Sequence, residues 1–83
     1  MPKVFIDSNL FVRHLTQDDP QLSSKASEFF EDLANKKFFG YVSSVVLHEV
    51  TYVLKKGYHL KSKDISGALL QLLALENLEV IDM

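Results

Sequence analysis

Three short apolar runs limit what this chain can fold into. Val4-Phe5-Ile6, Phe38-Phe39-Gly40-Tyr41-Val42 and Leu78-Glu79-Val80-Ile81 each read as a strand, the second a buried one rich in aromatic residues. The stretches between them show helical periodicity and are long enough for a pair of helices. Crossovers of that size join parallel strands through right-handed connections. The expectation is an α/β fold, three-layered, with a parallel sheet in the order β-αα-β-αα-β.

The helix boundaries follow from cap chemistry. Ser8 and Asn9 are suited to cap a first helix in which Phe11 and Leu15 stand one turn apart. Asp19-Pro20 opens a second helix, with Leu22, Ala26, Phe29, Phe30 and Leu33 forming its apolar stripe until Asn35-Lys36-Lys37. Ser43 and Ser44 end the second strand and cap a helix from Val45 to Lys56, which Gly57 closes after two lysines that suit the dipole. Ser62 caps a fourth helix, where Ile65, Leu69, Leu72 and Leu73 repeat the stripe, and Glu76-Asn77 breaks it.

At 83 residues the chain makes one domain at most. Hydrophobic residues are 47% of it and charged residues 24%, proportions that sustain a packed core and exclude a disordered chain. The absence of cysteine removes disulfides, thiolate metal sites and a cysteine nucleophile, so any metal sits on oxygen or imidazole. No apolar run reaches the roughly 18 residues of a membrane span, and the first residues lack a signal-peptide pattern, which makes the cytoplasm the expected location. A net charge of −2 gives no bulk attraction to nucleic acid but leaves room for a local basic patch.

Two acids stand out against this framework. Asp7 follows the first strand directly, at the carboxyl edge where open α/β sheets keep their ligand sites. Taken alone, it reads first as a cap or turn aspartate. Glu49 lies, on a helical wheel, inside the arc of Val46, Leu47, Val50, Val53 and Leu54, extended by Val45 and Tyr52. No lysine or arginine stands three or four residues from it, so it is expected to bind a cation, to bond to polar groups from elsewhere or to titrate with a raised pKa. The bland alternative is a salt bridge to a basic residue from another segment. Because the third helix leaves the second strand at the same sheet edge, the two acids are expected to converge. Oxygen ligands of this kind suit Mg²⁺ or Mn²⁺, and the chemistry implied is metal-assisted phosphodiester cleavage.

The residues Phe5-Ile6-Asp7-Ser8-Asn9-Leu10, the entry Asp18-Asp19-Pro20, the segment Ser43 to Val50 around Glu49, and Leu75-Glu76-Asn77-Leu78-Glu79-Val80 resemble the first half of a PIN domain, and most closely a VapC-like toxin ribonuclease. The resemblance spans essentially all of residues 1–83. It implies a Mg²⁺- or Mn²⁺-dependent endoribonuclease acting on structured RNA, often dimeric and held inactive by a cognate antitoxin. Asp7 and Glu49 match the first two acids of the family, Asn9 its supporting amide, and Ser8 a position filled by Ser or Thr. Family members continue through a further helix and two strands with two more aspartates. Residues 1–83 are therefore expected to form the N-terminal portion of one such domain and to be inactive alone. Asp82 matches a variable position and does not replace the missing acids. A sheet of family order 3-2-1-4-5 that stops after its third strand leaves the first strand as an open edge, so an edge-paired or swapped dimer is expected.

Competing assignments follow from the same residues. Haloacid-dehalogenase-like phosphatases need a second aspartate two residues after the first, where Asn9 stands. His14, His48 and His59 lack mutual ligand spacing and read as solvated or partly packed. Asp18 and Asp19 read as caps. Lys55, Lys56, Lys61 and Lys63 are either an RNA-phosphate guide or a solvated helix end. Phe11, Phe29, Phe30, Phe38 and Phe39 read as core. The alternative to a nuclease is a non-catalytic PIN remnant that binds an antitoxin or mediates oligomerisation.

Overall fold

The computed structural model describes residues 1–82. Strand β1 (Lys3–Phe5) leads into helices α1 (Ser8–Thr16) and α2 (Pro20–Ala34); β2 (Phe39–Ser43) leads into α3 (Ser44–Lys56) and α4 (Ser62–Leu73); β3 (Leu78–Ile81) follows. The strands are all parallel and lie in the order β1-β2-β3. The anticipated α/β order of elements is the observed one.

Strand registry decides which side chains reach the core. Lys3, Val4 and Phe5 lie opposite Phe39, Gly40 and Tyr41, while Gly40 and Val42 lie opposite Leu78 and Val80. The two-residue period therefore sends Val4, Gly40, Val42 and Leu78 to one face. There Val42 and Leu78, joined by Ile6, form one core with Phe11 and Val12 of α1, Phe30 and Leu33 of α2, Val50 and Leu54 of α3, and Ile65 and Leu69 of α4. Consecutive strand order and right-handed crossovers put both helix pairs on the same side. The described residues thus account for two of the expected three layers.

Among the described residues, no helix covers the opposite face of the sheet. Phe5 is 71% exposed and stacks on Tyr41 at 5.8 Å between ring centroids, with Phe39 exposed beside them. This corrects the reading of Phe38 to Val42 as a wholly buried strand and of Phe39 as core. The other phenylalanines behave as expected: Phe11 packs on Phe30 at 5.2 Å, and Phe29 on Phe38 at 4.9 Å.

Several boundaries move for identifiable reasons. Asp7, rather than Ser8 or Asn9, is the N-cap of α1; Asp19 caps α2 and Ser43 caps α3, each accepting a backbone N–H as expected. Ser62 lies inside α4, whose N-cap is Lys61 with no side-chain bond. Gly57 closes α3 in right-handed backbone, and the left-handed residue of that turn is His59, with φ 57°. Asn77 does more than end α4. Its buried amide donates to the Phe38 carbonyl at 3.1 Å, and its own carbonyl accepts the Gly40 N–H at 2.7 Å, so it locks β3 to the start of β2.

Gly40 is required by close approach. A Cβ there would stand 2.9 Å from Ile6 Cδ1 and 3.2 Å from Leu33 Cδ1, and both of those side chains are buried. Gly40→Ala is expected to lower stability by about 1–3 kcal/mol, the usual cost of an overpacked core. Thermal unfolding followed by circular dichroism checks this, and an unchanged midpoint would show that Ile6 and Leu33 repack freely.

A second prediction concerns Asp18. Its carboxyl is held down to about 2, from an ordinary 3.8, chiefly by the hydrogen bond from the Tyr58 hydroxyl and then by Arg13. A carboxyl depressed in the folded state stabilises above its unfolded value, and the gain is lost as pH falls through the folded one. The stability difference between the wild type and Asp18→Asn should therefore shrink between pH 3.8 and about 2. Urea denaturation across that window measures it; a pH-independent difference would contradict the network.

Candidate functional site

Helices α1 and α3 both start where adjacent strands end, so their first turns meet at the carboxyl edge of the sheet. Asp7 sits at the N-cap of α1 in extended backbone, and its Oδ1 accepts the Leu10 N–H at 3.2 Å. The positive end of the helix dipole favours a carboxylate at this place. The next residue makes the long-range link. Ser8 Oγ donates to Glu49 Oε1 across 41 positions of sequence. Asp7 and Glu49 thus flank one serine, on the two helices that were expected to converge.

The same helix pair is tied at its far end. The Tyr58 hydroxyl donates to Asp18, and Arg13 Nη1 reaches both oxygens of that carboxylate, at 3.0 and 2.9 Å. Between the two ties lie the buried residues Phe11 and Val12 of α1 and Val50 and Leu54 of α3.

Glu49 is not core-facing. It is exposed, as are Val45 at 59% and Tyr52 at 65%, the residues used to extend the apolar arc past it. The buried side of α3 is the narrower stripe of Val50 and Leu54, and Glu49 lies at its margin. Burial therefore does not explain the glutamate, and its hydrogen bond from Ser8 does. Neither Asp7 nor Glu49 forms an ion pair among the described residues, so the salt-bridge alternative is not what the structure contains.

Asp7 also opens onto a cleft of about 360 Å³ between α1 and α2, lined by Asn9, Leu10 and Arg13 on one side and Leu22, Lys25 and Ala26 on the other. The wheel of α2 shows Lys25 only as one polar residue among several; its place beside Asp7 depends on how α2 packs back over α1. Lys55 and Lys56 are elsewhere. Seven residues separate Lys56 from Glu49 on α3, roughly 10 Å along the axis at 1.5 Å per residue.

The remaining candidates stand apart. His14 is partly packed, with Nδ1 2.9 Å from Ser27 Oγ and its ring 4.9 Å from that of Phe30, and burial lowers its pKa. His48 is exposed beside Leu47, Thr51, Tyr52 and Lys55 on the outer face of α3, and His59 is exposed in the turn after it. Asp82 follows β3, two strands from β1, roughly 10 Å away at the usual inter-strand spacing. Among the described residues no group of three or more histidines, cysteines or acids is placed to hold a metal. Asp7 Oδ2 and Glu49 Oε2 carry no hydrogen bond among those residues, and two such oxygens fit a hard cation that retains much of its own water.

No helix among the described residues is long and apolar enough to cross a membrane. No curated protein matches the chain significantly. The family model of the PIN domain matches residues 4–83, from the first strand through all four helices and the third strand. With the parallel sheet, and with Asp7 and Glu49 at its carboxyl edge, the chain belongs to the PIN domain family.

Proposed function

We propose that this chain belongs to a metal-dependent endoribonuclease, the toxin of a toxin–antitoxin pair. PIN domains are generally nucleases, which makes a hydrolase of nucleic acid the broad assignment. The finer reading rests on one observation: the Ser8–Glu49 hydrogen bond holds α1 and α3 so that Asp7 and Glu49 share one edge of the sheet. Asp7 and Glu49 would hold Mg²⁺ or Mn²⁺, with Ser8 orienting the glutamate and Asn9 standing beside the aspartate. A divalent ion bound there supplies charge neutralisation at the scissile phosphate.

This chain's own residues prepare the site. Asp7 is fixed by its capping bond to Leu10, and Glu49 by its bond from Ser8, so neither carboxylate has to be ordered when RNA arrives. The open edge of β1 and the uncovered face bearing Phe5 and Tyr41 favour assembly, as an edge-paired or swapped homodimer, and a cognate antitoxin is the proposed protein partner. The proposed location is the cytoplasm.

A second reading is a non-catalytic PIN remnant that binds an antitoxin or supports oligomerisation. It is favoured by the aromatic patch of Phe5, Phe39 and Tyr41, which gives such a partner an apolar surface.

Metal binding separates the two. Mn²⁺ is expected to raise the unfolding midpoint of the wild-type chain, and Asp7→Asn or Glu49→Gln to remove that rise. Neither variant should then cleave a structured RNA with single-stranded loops in Mn²⁺. No Mn²⁺ effect on the wild type, or cleavage by both variants at the wild-type rate, would exclude the nuclease. The asparagine variant is needed because Asp7 also caps α1. Asp7→Ala should lose about 0.5–2 kcal/mol of stability in metal-free buffer, while Asp7→Asn keeps the cap; chemical denaturation of the two in EDTA checks the difference.

A further inference from the structure

The cleft beside Asp7 carries a feature that the two acids do not use. Its walls hold two cations, Arg13 and Lys25, and the one carboxylate Asp7, together with the apolar side chains Leu10 and Leu22. Arg13 is committed to Asp18 through both carboxylate oxygens. Lys25 is exposed and has no ion-pair partner among the described residues, although Glu28 lies one turn on in the same helix. An unpaired lysine lining the same cleft as Asp7, among apolar side chains, is arranged for an anion linked to a flat or apolar group. A nucleotide unit has that form, a phosphate followed by a ribose and a base.

We propose that Lys25 is a phosphate-binding residue for single-stranded RNA, and that the α1–α2 cleft seats the nucleotide flanking the one to be cut. The assignment rests on the nuclease reading of Asp7 and Glu49. The volume of about 360 Å³ is near the lower end of pockets for small ligands, roughly 300–1,000 Å³, which suits one nucleotide better than a protein helix. Leu10 and Leu22 cover the sugar and base, and Lys25 supplies charge that Arg13, neutralised by Asp18, does not. A lone ammonium contacts phosphate without reading sequence, so the cleft positions RNA rather than selecting it. Lys55 and Lys56, at the basic end of α3, do not line this cleft and are not part of the subsite.

The experiment measures binding of a fluorescein-labelled single-stranded RNA of mixed sequence by anisotropy over a range of salt concentrations. The background is the Glu49→Gln protein, which leaves every residue of the cleft in place and is cleavage-silent on the nuclease reading. Lys25→Gln should weaken binding and reduce the salt slope by about 0.7, the value for one phosphate contact on a single strand. Lys25→Arg should restore both, and Lys55→Gln should change neither.

An unchanged slope in Lys25→Gln overturns the subsite, and so does an equal change in Lys55→Gln, which would report net charge alone. RNA binding that is unaltered while binding to polyglutamate falls would assign the cleft to an acidic protein segment and also overturn it. If the wild-type chain neither binds the RNA nor responds to Mn²⁺, the nuclease reading itself fails and the subsite with it. Bound RNA with an unchanged slope removes the subsite alone.

Discussion

The pairing of α1 with α3 is the contact on which the rest of this domain depends. It is apolar in the middle, through Phe11, Val12, Val50 and Leu54, and closed by a polar tie at each end. Burial of such side chains contributes on the order of 1.5–3 kcal/mol each and dominates the energy. It is non-directional, however, and would tolerate one helix sliding along the other. The Ser8–Glu49 and Tyr58–Asp18 bonds set the register. A displacement of even one turn, about 5.4 Å, would separate Glu49 from the serine beside Asp7. Helix packing thus supplies the adhesion and two hydroxyl groups supply the alignment.

Much of the architecture is legible in the residues because local signals agree with one another. Asp19-Pro20, Ser43 and the stripe of Leu22, Ala26, Phe30 and Leu33 all point to helices that the structure contains. The errors arise where a local pattern has to be completed by a distant partner. A helical wheel places Glu49 among apolar neighbours, but only the packing of α3 shows that Val45 and Tyr52 face solvent with it. The aromatic run Phe38 to Val42 reads as buried because composition does not reveal that every described helix covers the same face.

The candidate site divides along the same line. Asp7 is visible because a strand ending in a carboxylate is a local event, and its capping role was among the readings open for it. The Ser8–Glu49 bond, the tie between Tyr58 and Asp18, and the cleft that Lys25 and Asp7 both line join positions far apart in the chain. No periodicity encodes them. The conspicuous lysine cluster at the end of α3 is easy to find because its members are neighbours in sequence, and for the same reason its position says little about the site.

The capping role of Asp7 has an evolutionary consequence. An acid that the first helix needs for its own start is retained by selection on stability, whether or not any reaction is being catalysed. Whatever chemistry this carboxylate serves, the demand of α1 for a cap falls on the same side chain, and a substitution that answers only one of the two is not neutral. Glu49 is in the same position, since its hydrogen bond from Ser8 aligns α1 with α3, so retention of either acid records a folding requirement before it records any chemistry.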